Sequence, residues 1–503
     1  MKILVYSAMN AVTMQQNFGK PEYSYYFVLR EFMPLLQQFG EVQTVENPAT
    51  EVDPLYHAAT RQGEACVFLS FSPPHLTCLG LSCPTIPVFA WEFSNMPNET
   101  WWDDRPEQNW RWCLQQCAGA IVHSEQSAQV VRNMMGADYP VTAIPAPLWD
   151  RMASGRNHLN SSGDACTSTI EVARGTIFDT NDPELERWLP TEQDIIRAVA
   201  EARGVIPIDE NEGFRRTQKS VGRVTLEYMI AWYQQVLADR VPTCWRRNLD
   251  QWTARKDPWQ LGRRELELSG VVFTSLFNPK DGRKNWVDML TAFCTEFRDE
   301  PGATLVFKLG HRDHEEALQG FLMVLPRLPP FRCRVVLLNG FLDDDAYLKL
   351  LRRSHFALNA SHGEGQCLPL MEYLSCGKPA VAPSHSALAD YIDEDIAFIV
   401  DSWADATMWP HDPRIAYRTL RQQIDWTSLC RAFRNAFECY RTQPARYQQM
   451  SLAAINRMQE HCSMNAVKAR LETLLKTILE GSPHDPDLDA RTQSRRMATQ
   501  GSK

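Results

Sequence analysis

The stretch Ser361-His362-Gly363-Glu364-Gly365-Gln366-Cys367-Leu368-Pro369-Leu370-Met371-Glu372, continued by Tyr373-Leu374-Ser375-Cys376-Gly377-Lys378-Pro379-Ala380-Val381-Ala382, decides how the chain is read. The apolar run 356–360 before it predicts a short buried strand. The small, polar, Gly-containing residues that follow predict a turn opening a helix over about 366–375. Gly377 and Pro379 stop that helix, and 379–382 enters the next strand. Glu364 therefore stands at a strand-to-helix junction, beside free N–H groups and the positive end of a helix dipole. An anion is at home there, whereas a carboxylate alone would mainly cap the helix.

Two glutamates with seven residues between them recur by chance in long helical proteins, but the whole string in a strand, turn, helix, strand context is specific. It resembles the E-x7-E signature of family 4 retaining glycosyltransferases. Those enzymes have the GT-B fold, an α/β architecture in which two doubly wound Rossmann-type domains face each other across a cleft and the second holds a nucleotide-sugar. If most of the interval is helical, the carboxylates lie ~12 Å apart along the axis, enough to bracket a diphosphate with sugar on one side and ribose on the other. The resemblance implies that Glu364 contacts the donor hexose and Glu372 the ribose hydroxyls. It also implies that N–H groups of Gly365, Gln366, Cys367 and Leu368 take phosphate or sugar oxygens. The plain alternative is an N-cap glutamate and a surface glutamate on an ordinary helix.

At 503 residues the chain is too long for one core, and two or three domains are expected. A hydrophobic fraction of 44% with 22% charged residues fits a globular protein, and a net charge of −9 argues against a broad nucleic-acid-binding face. No apolar run approaches the ~20 residues of a membrane span. The opening Met1-Lys2-Ile3-Leu4-Val5-Tyr6 reads as a first strand, without signal-peptide architecture. Fourteen cysteines without a C-x-x-C pair or a His/Cys cluster at metal spacing read as reduced core residues of a cytoplasmic protein. Neither a metal nor a cofactor is expected.

The first strand leads into a glycine-containing loop and an amphipathic stretch over 23–39, the opening of a doubly wound domain. No G-x-G-x-x-G occurs, so a dinucleotide cofactor is not indicated. By the resemblance Gly19 approaches the donor phosphates or the acceptor; otherwise it is a turn glycine. Strand-like runs at 41–45, 65–71, 85–90, 118–123 and 141–144 support a parallel sheet with crossover helices. After the run at 85–90 comes Trp91-Glu92-Phe93, where many members of the family carry a histidine. Glu92 either meets the acceptor and its hydroxyl proton or braces the interdomain loop. His75 reads as structural.

The organisation expected is an acceptor-side domain over 1–150, a mixed insertion over 151–268, and a nucleotide-sugar domain over 269–443. A helical return over 444–480 and a disordered tail over 481–503 complete it. The resemblance does not reach the insertion. There an amphipathic helix over 226–241 and the cluster Cys244-Trp245-Arg246-Arg247-Asn248, with Arg255, Lys256, Arg263 and Arg264, offer a surface for an anionic lipid carrier or the inner membrane face, or simply a solvated face.

The second domain opens with a strand at 271–276, a loop Asn278-Pro279-Lys280-Asp281-Gly282-Arg283-Lys284 and a helix over 286–297. This resembles the family's strand, basic loop and helix, in which an arginine and a lysine neutralise the donor diphosphate. Lys284 matches the lysine, Ser275 stands where the arginine usually ends the strand, and Arg283 or Lys308 supplies the second charge. Asp343-Asp344-Asp345 read as helix N-terminal acids rather than a metal site. The function implied is transfer of a hexose from a nucleoside diphosphate sugar to a saccharide or lipid-linked acceptor, with Glu364 and Glu92 as the candidate catalytic groups. The rivals are a non-catalytic scaffold and another enzyme on the same fold, such as a nucleotide-sugar epimerase.

Overall fold

A computed structural model of the chain describes residues 1–9, 23–100, 105–156, 169–172, 174–182, 265–310, 314–410, 412 and 414–481, with short stretches between 196 and 249. Gly19, Arg246, Arg247, Arg255, Lys256, Arg263, Arg264 and the tail after Gly481 lie outside the described residues.

In β1 (Lys2–Ser7) Ile3, Leu4 and Val5 are all fully buried, as expected of a strand covered on both faces by crossover helices. It sits in a six-stranded, all-parallel sheet with β2 (Glu41–Thr44), β3 (Cys66–Phe71), β4 (Thr85–Phe89), β5 (Ala120–Val122) and β6 (Val141–Ala143), in the order β2-β1-β3-β4-β5-β6. The crossovers include α1 (Tyr23–Leu36), α2 (Pro48–Arg61) and α3 (Glu125–Met135).

Described pieces of the interval expected as an insertion join the second domain. A two-stranded pair, β7 (Ile170–Glu171) with β9 (Glu265–Leu266), brings its two ends together. Between them β8 (Arg174–Asp179) leaves the interval and adds to the edge of the second sheet, antiparallel to its neighbour there. The buried carboxylate of Asp179 takes two hydrogen bonds from Arg334, at 3.0 and 2.6 Å, and the Val335 amide donates to Thr180 Oγ1. Neither partner can be removed without leaving a buried charge unpaired, so the edge strand is locked in register. The helix expected over 226–241 is met only in part, by α4 (Val221–Trp232), which starts five residues earlier.

The second sheet contains β10 (Val271–Phe277), β11 (Ala303–Leu309), β12 (Arg334–Phe341), β13 (Phe356–Leu358), β14 (Ala380–Ala382) and β15 (Ala397–Ile399). Its order is β15-β14-β13-β10-β11-β12-β8 and it is parallel except at β8. Around it lie α5 (Trp286–Glu296), α6 (His314–Val324), α7 (Asp344–Arg353) and α8 (Leu368–Ser375). The core on one face is aromatic: Phe273, Phe293, Phe297, Phe356 and Phe433 pack ring to ring. The expected two-domain α/β architecture, doubly wound in both halves, is thus what the chain forms.

Two features follow the second sheet. An antiparallel hairpin, β16 (Ser402–Met408) with β17 (Tyr417–Ile424), reaches the first domain: Asn95 Nδ2 donates to the Arg418 carbonyl at 2.8 Å, and Arg414 and Arg418 pair with Glu99. Then α9 (Trp426–Thr442), α10 (Pro444–Cys462) and α11 (Met464–Gly481) run in succession. The helical stretch expected over 444–479 is two helices, because Ser463 is extended at the corner between them. α11 crosses back and buries Val467, Leu471, Leu474 and Ile478 against Ile3, Val5, Leu69 and Ile144 of the first sheet. The outward crossing runs beside that corner: Trp149 Nε1 donates to the Ile455 carbonyl at 3.1 Å and the Met464 amide to Asp150 Oδ2 at 2.8 Å. The two crossings form one joint between the domains.

Candidate active site

In an open parallel sheet the ligand crevice lies at the carboxyl ends of the two strands between which the order reverses. In the second sheet those strands are β10 and β13, since β11 and β12 lie on one side and β14 and β15 on the other. The loop after β10 carries Arg283 and Lys284; the loop after β13 carries Glu364. The structure closes them on each other. Lys284 Nζ donates to both oxygens of Glu364, at 2.7 and 2.8 Å. Asn359 Nδ2 and Ser361 Oγ donate to Oε1 at 3.0 and 2.7 Å, and the Glu364 amide donates to Ser386 Oγ at 2.9 Å. Only 3% of Glu364 is exposed. Burial by itself would raise its carboxyl, but Lys284 and Arg283, with hydrogen bonds from Lys284 and Ser361, outweigh that and hold it down to about 2.

Arg283 connects this loop to the first domain. Its guanidinium lies 3.1 Å from Glu92, 2.9 Å from Asp281 and 3.8 Å from Glu364, and it donates to the Gly363 carbonyl at 3.0 Å. Burial pushes the Glu92 carboxyl up, with Arg283 opposing it. The two loops touch so closely that a Cβ on Gly365 would stand 2.6 Å from the Ala90 Cβ, so only glycine fits there. Backbone strain gathers at the same place. Asn285, Cys367 and Ser386 all have φ between 50° and 66°, a region non-glycine residues seldom adopt. One follows Lys284, one precedes α8, and one receives the Glu364 amide. Such strain persists where surrounding contacts over-determine the backbone.

The left-handed Cys367 also moves the helix start. α8 begins at Leu368, not near 366, because a residue at φ 66° cannot join a right-handed helix. Gly365 and Gln366 consequently lie in the loop, and the side chain of Gln366 is buried with its Oε1 unpartnered. Burial pushes the Cys367 thiol up to about 12.

Glu372 is placed differently. Its Oε1 accepts Arg151 Nη2 at 2.5 Å and its Oε2 accepts the Tyr347 hydroxyl. Arg151 belongs to the outward crossing and also donates to Glu31 Oε2 on α1 at 2.9 Å. Lys308, the next-to-last residue of β11, is buried and donates to the Leu309 carbonyl at 2.9 Å, and burial lowers it to about 8. Asp343 caps α7 by accepting the Ala346 amide at 2.8 Å, while Asp345 pairs with Lys349 one turn on, so the three acids act as helix N-terminal groups. His75 stacks on Trp110.

Sequence reasoning did not reach Asn359, Ser361, Ser386, Arg151 or Tyr347. Asn359 and Ser361 had a signal, being polar residues at the end of an apolar strand just before the glutamate. Arg151 had none, since it meets Glu372 across 221 residues.

No protein-family model matches the sequence, and no curated protein matches it. Solved structures similar to the chain include HepE of Anabaena in complex with UDP-glucose, at 11% identity over 95% of this chain and 100% of that one, with a TM-score of 0.45. A glycosyltransferase of Rickettsia africae is similar at 10% identity over 96% and 99%, TM-score 0.48. Sucrose-phosphate synthase of Thermosynechococcus elongatus is similar at 12% identity over 96% and 99%, TM-score 0.46.

Proposed function

We propose that the protein is a retaining glycosyltransferase that moves a hexose from a nucleoside diphosphate sugar to a saccharide or lipid-linked acceptor. The observation that carries the reading is the Lys284–Glu364 pair, fixed at the switch point of the second sheet and faced by Glu92 of the first domain. A diphosphate gains negative charge as it leaves, and a cation already positioned in a half-buried crevice stabilises that charge without reorganising. Lys284 takes this role by exchanging Glu364 for phosphate oxygens. Arg283 is already shared among Glu92, Asp281 and the Gly363 carbonyl, and it holds the loop to the first domain. Glu364 orients the hexose hydroxyls and Glu372 the ribose.

No side chain is assigned as a covalent nucleophile. The acceptor oxygen bonds to the anomeric carbon on the face from which the diphosphate departs, the carbon–phosphate oxygen bond breaks, and the acceptor proton passes to the departing phosphate oxygen. Neither a metal nor a cofactor takes part in this scheme. Glu92 stands on the acceptor side. For the interval over 152–268 we assign acceptor or peripheral membrane contact. Val221, Tyr228, Met229 and Trp232 of α4 are 83, 75, 61 and 56% exposed, and Trp245 is 70% exposed. Among the described residues no helix is long and apolar enough to cross a membrane.

The test is a panel of nucleoside diphosphates and nucleotide-sugars by thermal shift, then nucleotide release with saccharide acceptors. Lys284→Ala is expected to weaken nucleoside diphosphates far more than the nucleoside. Equal loss for both removes the phosphate role. Sugar epimerisation without nucleotide release selects the epimerase, and binding without turnover the scaffold.

A further inference from the structure

Arg151 is the residue at which the joint, the first domain and the ribose end of the donor string meet. It follows Trp149, whose amide donates to the Cys462 carbonyl, and Asp150, which accepts the Met464 amide, so it belongs to the outward crossing beside the α10–α11 corner. Its Nε donates to Glu31, a buried acid of α1 whose other oxygen accepts Arg30 at 3.1 and 2.8 Å. Its Nη2 donates to Glu372 of α8, and Tyr347 of α7 donates to the second Glu372 oxygen. An ionised carboxylate offers about four lone-pair positions. Arg151 and Tyr347 take one on each oxygen, and one on each is left, which matches the two hydroxyls of a vicinal diol.

Resting on the donor reading above, we propose that Arg151 is a positioning residue for the donor ribose. It fixes the Glu372 carboxylate so that its remaining lone pairs meet the 2′- and 3′-hydroxyls, and it ties that carboxylate to the first domain through Glu31. Without the guanidinium, Glu372 keeps a single anchor in Tyr347 and loses the orientation that makes two hydrogen bonds at once favourable. The chain of contacts also ends on α1 of the first domain. Ribose occupancy in the second domain is therefore communicated to the first.

The experiment is calorimetry with whichever of UDP, GDP, ADP and CDP binds the full-length protein best, and with its 2′,3′-dideoxy analogue. The wild type is expected to discriminate between the two by roughly ten- to a hundredfold, the worth of charge-assisted hydrogen bonds to the diol. Arg151→Met is expected to cut that discrimination to roughly threefold or less and Arg151→Lys to restore part of it. Donor KM should rise in Arg151→Met with kcat nearly unchanged. Glu31→Gln, which leaves Arg151 in place but loosens its anchor, is expected to fall between. A ratio between two ligands is insensitive to general loosening of the fold. If wild type discriminates and Arg151→Met does so equally well, the positioning role is overturned and the donor site stands. If Arg151→Met loses discrimination and Glu31→Gln keeps all of it, the link to the first domain is overturned. If wild type binds none of the four, or binds one without discriminating, the donor reading or its ribose placement fails, and this inference with it.

Discussion

Glu364 and Glu372 belong to one string, yet the structure holds them in opposite ways. Glu364 is enclosed by its own domain: Lys284, Asn359, Ser361 and Ser386 all come from the second sheet's loops, and the carboxylate is almost wholly buried. Glu372 is held partly from outside, by Arg151 of the interdomain crossing, whose side chain is 38% exposed. The first is a preorganised charge that cannot move without breaking a network, and the second is a joint between domains. A glutamate that must meet a sugar in a transition state benefits from the former. One that grips a nucleotide on arrival can afford the latter.

That difference can be broken first through stability. Lys284→Ala strips a buried carboxylate of its main counter-ion and is expected to cost about 3–5 kcal/mol in urea unfolding. Adding Glu364→Gln should recover much of the loss. Arg151→Met removes a guanidinium that is 38% exposed, and because Glu31 keeps Arg30 and Glu372 keeps Tyr347 it is expected to cost less, about 1–2 kcal/mol. Equal losses at the two ends would erase the contrast.

A pH series sharpens it. Glu364 is held at about 2 against an ordinary 4.5, so its contribution is fully present above the ordinary value and is lost as pH falls from there toward 2. The stability advantage of wild type over Glu364→Gln should shrink by about 3 kcal/mol across that window. A constant advantage would mean that Glu364 is not held low by its partners. A smaller effect belongs to Asp343. Asp343→Ala is expected to cost about 1 kcal/mol through the lost α7 cap, with nucleotide affinity and turnover unchanged. Lost turnover would return the three aspartates to the site.

Much of this was legible in the chain. The stretch from Phe356 to Ala382 placed a strand, a turn, a helix and a strand because Gly, Pro and small polar residues punctuate it. The strand expected at 271–276 and the helix expected over 286–297 each lie within a residue of β10 and α5. What escaped reading depends on distance. β8 contains only six residues and gains its place from Arg334, 155 positions later. The β16–β17 hairpin is half-exposed and mixed in polarity, so neither strand announces itself by alternation. Arg151 is one arginine in a loop until α8 is brought beside it. Local periodicity reports local structure, while a joint between domains is written in pairs far apart.

The division of labour between the two glutamates is tested most directly by Glu364→Gln, assayed for nucleotide release and, by calorimetry, for affinity toward the bare nucleoside diphosphate, with a melting curve to establish folding. If Glu364 meets the hexose as proposed, and since in the free protein it occupies Lys284, its loss should lower kcat by roughly a hundredfold or more. Affinity for the bare diphosphate, which carries no hexose, should be unchanged or tighter. Glu372→Gln should do the reverse, raising donor KM by roughly ten- to a hundredfold. Weakened diphosphate binding in Glu364→Gln with normal binding in Glu372→Gln would reverse the placement of sugar and ribose, and full activity in both would contradict the catalytic reading itself.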